Sequence, residues 1–120
     1  MYAARRSAAA IDAALGQTMS ALADPTRRAV VRLLAQGPRR AGELAAELAM
    51  TPPALSRHLR MLRQGGLIVD DEPAHDARVR LYRLQPRALA PLHDWLAELE
   101  AFWGDQLQVS KAHAEKSRKR

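Results

Sequence analysis

The spacing of apolar residues changes twice along this chain, and that change limits its fold more than any other feature. Up to residue 64, apolar side chains recur at helical spacing. Between 67 and 84 the period falls to two, and from 86 onward it is helical again. One short two-period stretch inside a helical chain leaves room for a hairpin but not for a large sheet. The 120 residues, 48% of them hydrophobic, suffice for one domain with a proper core. Cysteine is absent, which removes disulfides, thiol catalysis and cysteine-ligated zinc. No apolar run reaches the roughly 18 residues that a membrane helix needs. Arg5-Arg6 ahead of an alanine-rich stretch, with Ala21-Leu22-Ala23 behind it, imitates a secretory leader. Asp12 and Gln17 interrupt the would-be apolar core, so an amphipathic helix and a cytoplasmic location are expected instead.

Helix punctuation divides the rest. Residues 8–23 place Ile11, Leu15, Met19 and Leu22 on one helical face. Asp24-Pro25 supplies an N-cap and a first-turn proline for a second helix that ends at about Gln36 and buries Val30, Leu33 and Leu34. A third helix covers about 41–48, with Leu44, Ala45 and Leu48 inward. After the short turn Ala49-Met50, Thr51 caps a fourth helix, whose first turn tolerates Pro52 and Pro53 because first-turn amides lack intrahelical partners. Its inward stripe is Leu55, Leu59 and Leu62, and Gly65-Gly66 closes it. Leu67-Ile68-Val69 reads as one strand, 70–77 as a polar turn and 78–84 as a second strand, a hairpin of about seven residues per arm. Pro86 opens a last long helix with Leu89, Leu92, Leu96, Leu99, Trp103 and Leu107 in one stripe, widened by Trp95 and Phe102. Such a wide aromatic face on a terminal helix exceeds what a small domain covers by itself.

Charge is unevenly spread. The net charge is +6, yet residues 16–110 hold 12 basic and 11 acidic side chains, whereas 111–120 hold five basic and one acidic. Residues 1–110 are therefore expected to form the domain, and 111–120 a solvated, disordered basic tail whose contribution to any DNA affinity would be salt-sensitive and sequence-blind. Inside the domain, 51–66 carries Arg57, Arg60 and Arg63 with no acid. Two short helices joined by a tight turn, the second polar and basic outside, make a helix-turn-helix, and the hairpin behind it makes a wing. The fold expected is mainly α with a small β-hairpin: a winged helix-turn-helix of five helices and a two-stranded wing. Double-stranded DNA is the expected partner, and a helix fits its major groove. With the leucines inward, Thr51, Pro52, Ser56, Arg57 and Arg60 are left for bases and phosphates, and Arg78 and Arg80 for the backbone or minor groove. Enzyme readings fail on inventory: Ser56 and His58 do not face each other on a helix, and no HExxH, G-x-S-x-G or phosphate loop is present. No cofactor motif appears, and nothing marks an effector or its pocket.

Residues 22–35 (LADPTRRAVVRLLA), 43–68 (ELAAELAMTPPALSRHLRMLRQGGLI) and 78–84 (RVRLYRL) together resemble the ArsR family of winged-helix bacterial repressors. The resemblance implies a homodimer built from the first and last helices, paired recognition helices on a two-fold operator, and repression released by an effector. It puts Thr51, Ser56, Arg57 and Arg60 on DNA-meeting positions and Arg78 and Arg80 in the wing. Ile11, Leu15, Met19, Trp95, Leu99, Phe102 and Trp103 would then form the dimer face. Three departures accompany it. Where many members carry a cysteine pair, this chain has Arg40-Ala41-Gly42. The last helix offers His93, Asp94, Glu98 and a distant His113, but adjacent residues point about 100° apart on a helix, so no metal site is expected. Pro52 replaces a polar base reader, and Ala49 stands where glycine is usual, at a cost on the order of 1 kcal/mol if the turn needs positive φ. Two alternatives stay open: an interaction module of the same fold without specific DNA binding, and a metal-responsive repressor using the last helix.

Overall fold

The computed structural model describes residues 2–71 and 80–118, with side chains over 8–71 and 80–104. Five helices appear in order: α1 (Tyr2–Leu22), α2 (Pro25–Ala35), α3 (Ala41–Glu47), α4 (Pro52–Gln64) and α5 (Ala90–Arg118). Strands β1 (Arg39–Arg40), β2 (Ile68–Asp71) and β3 (Leu81–Leu84) form one antiparallel sheet in the order β1-β3-β2. The core is Ala21, Val30, Leu34, Leu44, Ala45, Leu55, Leu59, Leu62, Leu67, Ile68 and Tyr82, drawn from α1 to α4, β2 and β3. Leu33 and Leu48, expected inside, are half-buried at its edge. No helix among the described residues is long and apolar enough to cross a membrane.

Local chemistry explains the helix ends. Asp24 Oδ1 accepts from Thr26 N at 2.8 Å and Arg27 N at 3.1 Å, satisfying two first-turn donors of α2. Arg27 and Arg28 turn back from that first turn onto the last carbonyls of α1. Arg27 Nε donates to Ala21 O at 2.6 Å and Nη2 to Ser20 O at 3.2 Å. Arg28 Nη1 donates to Leu22 O at 2.8 Å and Ala23 O at 3.0 Å. Guanidinium charge at a helix C-terminus also complements the dipole there.

Several expectations need correction. The expected two-stranded wing, β2 and β3, gains a third strand: Arg39 pairs with Tyr82 and Arg40 with Leu81, so the linker before α3 joins β3 by its backbone. Asp70 and Asp71, read as turn, extend β2 opposite Tyr82 and Leu81, because arginines of α4 and β3 neutralise them. Each described hairpin arm has four residues rather than about seven. Pro86 opens a 3-10 turn, Pro86–Leu89, and α5 begins only at Ala90. At its other end α5 runs to Arg118, and 111–118 contains good helix formers and neither Gly nor Pro. The face that α1 buries is Leu15, Thr18 and Ala21, and Ile11 and Met19 stay exposed. Thr18 can sit inside because its hydroxyl lies 3.1 Å from Ala14 O and 3.3 Å from Ala88 O.

Candidate nucleic-acid interface

The α3–turn–α4 unit follows from its caps. α3 ends in a Schellman arrangement: Met50 N donates to Ala45 O at 2.9 Å and Ala49 N to Ala46 O at 3.2 Å. This turns the chain sharply and places Ala49 at φ 52°, the left-handed region that glycine normally fills. Thr51 is extended, and its side-chain oxygen accepts from Ala54 N at 3.4 Å, starting α4 with Pro52 and Pro53 in the first turn. α4 ends in the same motif, with Leu67 N on Leu62 O at 3.0 Å and Gly66 N on Arg63 O at 2.9 Å, and here a glycine takes the positive φ.

Leu55, Leu59 and Leu62 hold one side of α4 in the core. The remaining surface therefore has a fixed aim. Thr51, Pro52, Ser56, Arg57 and Arg60 are all exposed on it, and neither Arg57 nor Arg60 joins an ion pair among the described residues. Two free guanidiniums one helical turn apart, beside a hydroxyl and behind a positive helix N-terminus, can grip a phosphate backbone and read guanine edges. Arg40, exposed at the start of α3, adds a cation that the sequence did not single out, because its position depends on the β1–β3 pairing.

The wing is less available than expected. Arg78 lies outside the described residues. Arg80 is half-buried at the foot of the hairpin, its Nε 3.4 Å from Asp70 Oδ2, and Arg63 Nη1 approaches that same oxygen at 3.6 Å. Arg80 Nε is buried without a hydrogen-bond partner, so this ion pair leaves the donor unsatisfied. Arg83 pairs with Asp71. His58, on α4, is a packed residue: its Nδ1 lies 3.9 Å from Asp24 Oδ1 and 3.5 Å from Arg27 Nη1. It brings α4 against the α1–α2 corner. Partial burial would raise the Asp24 pKa, but the Arg27 and Thr26 amides and the neighbouring His58 and Arg27 charges outweigh it and hold the carboxyl below its usual value.

The second surface is apolar. Ile11, Met19, Trp95, Leu99 and Trp103 are exposed, and Phe102 is 85% exposed, far beyond an ordinary surface phenylalanine. Leu15 departs from the expected set: it is only 9% exposed, already covered where α1 meets α5. Backbone angles at Trp103 (φ −117°, ψ 17°) kink α5, and the Phe102 and Trp103 rings stand tilted with centroids 6.1 Å apart. No three His, Asp or Glu side chains gather at one point among the described residues. His93 Nδ1 lies 3.8 Å from Asp94 Oδ1, with both side chains in solvent, and the His113 side chain lies outside the described set.

Known proteins share this arrangement. A sequence profile of the arsR family of bacterial regulatory proteins matches residues 24–69. The HTH-type transcriptional regulator Rv2034 of Mycobacterium tuberculosis is 47% identical over 83 residues, 69% of this chain and 72% of that protein. The crystal structure of the ArsR-family transcriptional regulator RHA00566 superposes with a TM-score of 0.69 at 33% identity, covering 78% of this chain and 93% of that one. The solution structure of the homodimeric winged helix-turn-helix DNA-binding domain Mb0332 from Mycobacterium bovis gives a TM-score of 0.60 at 26% identity, with 82% and 90% covered. With its capped helix-turn-helix, the sheet behind it and these likenesses together, the chain belongs to the arsR family of bacterial regulatory proteins.

Proposed function

We propose that this regulator is a repressor that binds a two-fold operator as a homodimer, with α4 of each copy in successive major grooves. The observation that carries the reading is the division of α4. Its leucines are locked in the core, while Ser56, Arg57 and Arg60 stand exposed, the arginines without ion-pair partners among the described residues. Thr51 and Pro52 lead the helix into the groove, and Arg78 and Arg80 belong to the wing that follows the backbone. Ile11, Met19, Trp95, Leu99, Phe102 and Trp103 form the dimer face, consistent with the homodimeric relative. Residues 1–110 carry recognition and dimerisation, and the lysines and arginines beyond 110 add sequence-blind affinity. The protein catalyses no reaction and works in the cytoplasm, where its DNA is.

A fluorescence anisotropy titration tests this. The labelled DNA is the stretch upstream of the protein's own gene, with a scrambled competitor, at two salt concentrations. Selective binding with a two-fold footprint supports the reading. Weak binding that is indifferent to sequence and falls steeply with salt refutes it.

A further inference from the structure

Beside the exposed face of α4 lies a cavity of about 340 Å³, bounded by the start of α3, one flank of α4 and β3. That is within the usual range for a small-molecule site. Its wall is apolar: Ala41, Ala45, Leu55, Leu59 and the ring of Tyr82. Its polar groups are Ser56, Arg63 and Arg80. The two guanidiniums share a single carboxylate oxygen, Asp70 Oδ2, at 3.6 and 3.4 Å, so among the described residues two positive charges face one negative charge at the rim. Arg80 Nε is buried and makes no hydrogen bond, its carboxylate neighbour Asp70 Oδ2 standing at 3.4 Å, so the guanidinium is held there by charge alone. An apolar wall under a surplus guanidinium suits an anion with an apolar body. A bare phosphate would satisfy the arginines and leave the wall wet, whereas a neutral apolar molecule would leave the donor unmet.

We propose that this cavity is an effector site for a small monocarboxylate with a flat apolar body, and that its occupancy weakens the grip on DNA. The coupling is built into the lining. Ser56 belongs to the face of α4 that meets DNA, so a molecule held by Arg63 and Arg80 and lying against Ser56 stands at the edge of the surface that would meet phosphate. This second clause rests on the DNA reading above; the binding site itself does not.

The test uses the full chain labelled with ¹⁵N, titrated with 2-naphthoate and separately with its neutral counterpart 2-naphthamide. The expected result is a saturable shift of the Ala41, Ala45, Ser56 and Tyr82 amides with naphthoate, without movement at Ile11 or Trp95. Naphthamide should bind about tenfold more weakly, the loss of one charge-assisted contact. Arg63→Gln and Arg80→Gln should each weaken naphthoate by a similar factor and leave naphthamide unchanged; Arg63 is the more exposed, so its variant keeps the fold. Absence of a saturable shift at millimolar naphthoate, or equal binding of acid and amide, overturns the site. Anisotropy with operator DNA then reads the coupling. Saturating naphthoate should raise the apparent Kd about tenfold while naphthamide at the same concentration does not. Cavity shifts with an unchanged Kd overturn the coupling. If DNA fails to bind even without naphthoate, the DNA reading and the coupling fall together, and the amide titration alone still decides the site.

Discussion

Ala49 in the helix-turn-helix turn offers a test of the backbone argument with its own internal control. Both α3 and α4 end in the same two-bond Schellman motif, but α3 uses Ala49 at φ 52° and α4 uses Gly66 at φ 74°. An L-residue in this region costs about 1–2 kcal/mol through crowding of its Cβ against the backbone. Replacing it by glycine removes that strain and returns about 0.4–1 kcal/mol through the greater entropy of the unfolded chain. Ala49 is exposed, so its methyl contributes little burial. Ala49→Gly should therefore stabilise the fold by about 0.5–1 kcal/mol, or about 2–4 °C in Tm for a domain of this size. Gly66→Ala should destabilise by about the same amount, because a methyl there meets no atom within 4 Å and the φ penalty is offset only by the lower entropy of the unfolded chain. The double exchange should come out near zero if the two turns are independent. Urea and thermal unfolding at one fixed protein concentration read all three, since a dimer's Tm shifts with concentration. A neutral or destabilising Ala49→Gly beside a destabilising Gly66→Ala would refute the claim that the α3–α4 turn is strained.

Other consequences follow from the two faces. Arg57→Ala and Arg60→Ala should each cost about 1–3 kcal/mol of operator affinity if they read a base, relaxing selectivity at one position, whereas loss of a phosphate contact weakens all sequences alike and lowers the salt slope by about one. Unchanged affinity for a footprinted operator removes that residue from the interface. Phe102→Glu should shift the protein towards monomer in sedimentation equilibrium without lowering its helix content, because the side chain is 85% exposed in the single chain; an intact dimer would place the interface elsewhere. The Asp24 carboxyl is held below its usual pKa, so the folded state favours its ionised form. Its stabilisation is complete above the unfolded value near 3.8 and is lost as pH falls through the lower folded value. The urea midpoint should fall in that acid range, and more steeply than in Asp24→Asn, which keeps a capping oxygen but cannot titrate there. Identical acid profiles would show that Asp24 carries none of the dependence.

Much of this was written locally in the chain. Asp24-Pro25, Thr51-Pro52-Pro53 and Gly65-Gly66 are caps whose chemistry acts within a few residues, and Leu55, Leu59 and Leu62 repeat at helical spacing, so α2 and α4 and the outward aim of Ser56, Arg57 and Arg60 could be read directly. The failures involve partners distant in sequence. Arg39-Arg40 has no strand-like alternation; it becomes β1 because β3, some forty residues later, offers backbone groups. Asp70 and Asp71 look like turn residues until Arg63, Arg80 and Arg83 stand across from them. The cavity was illegible for the same reason: three separate elements each supply part of its wall.

The back-folded arginines at the α1–α2 corner also bear on operator geometry. In the proposed assembly α1 contributes Ile11 and Met19 to the dimer face, while His58 lies against the corner that Arg27 and Arg28 stitch to the end of α1. That corner sets the distance between the two reading heads. A rotation of about 10° there swings the tip of a lever as long as α4, 13 residues or about 20 Å, by about 3.4 Å, which is one base-pair step. If the proposed assembly holds, a chain stitched this way measures DNA as well as reading it, and operators whose half-sites are moved one step closer or further apart should bind more weakly.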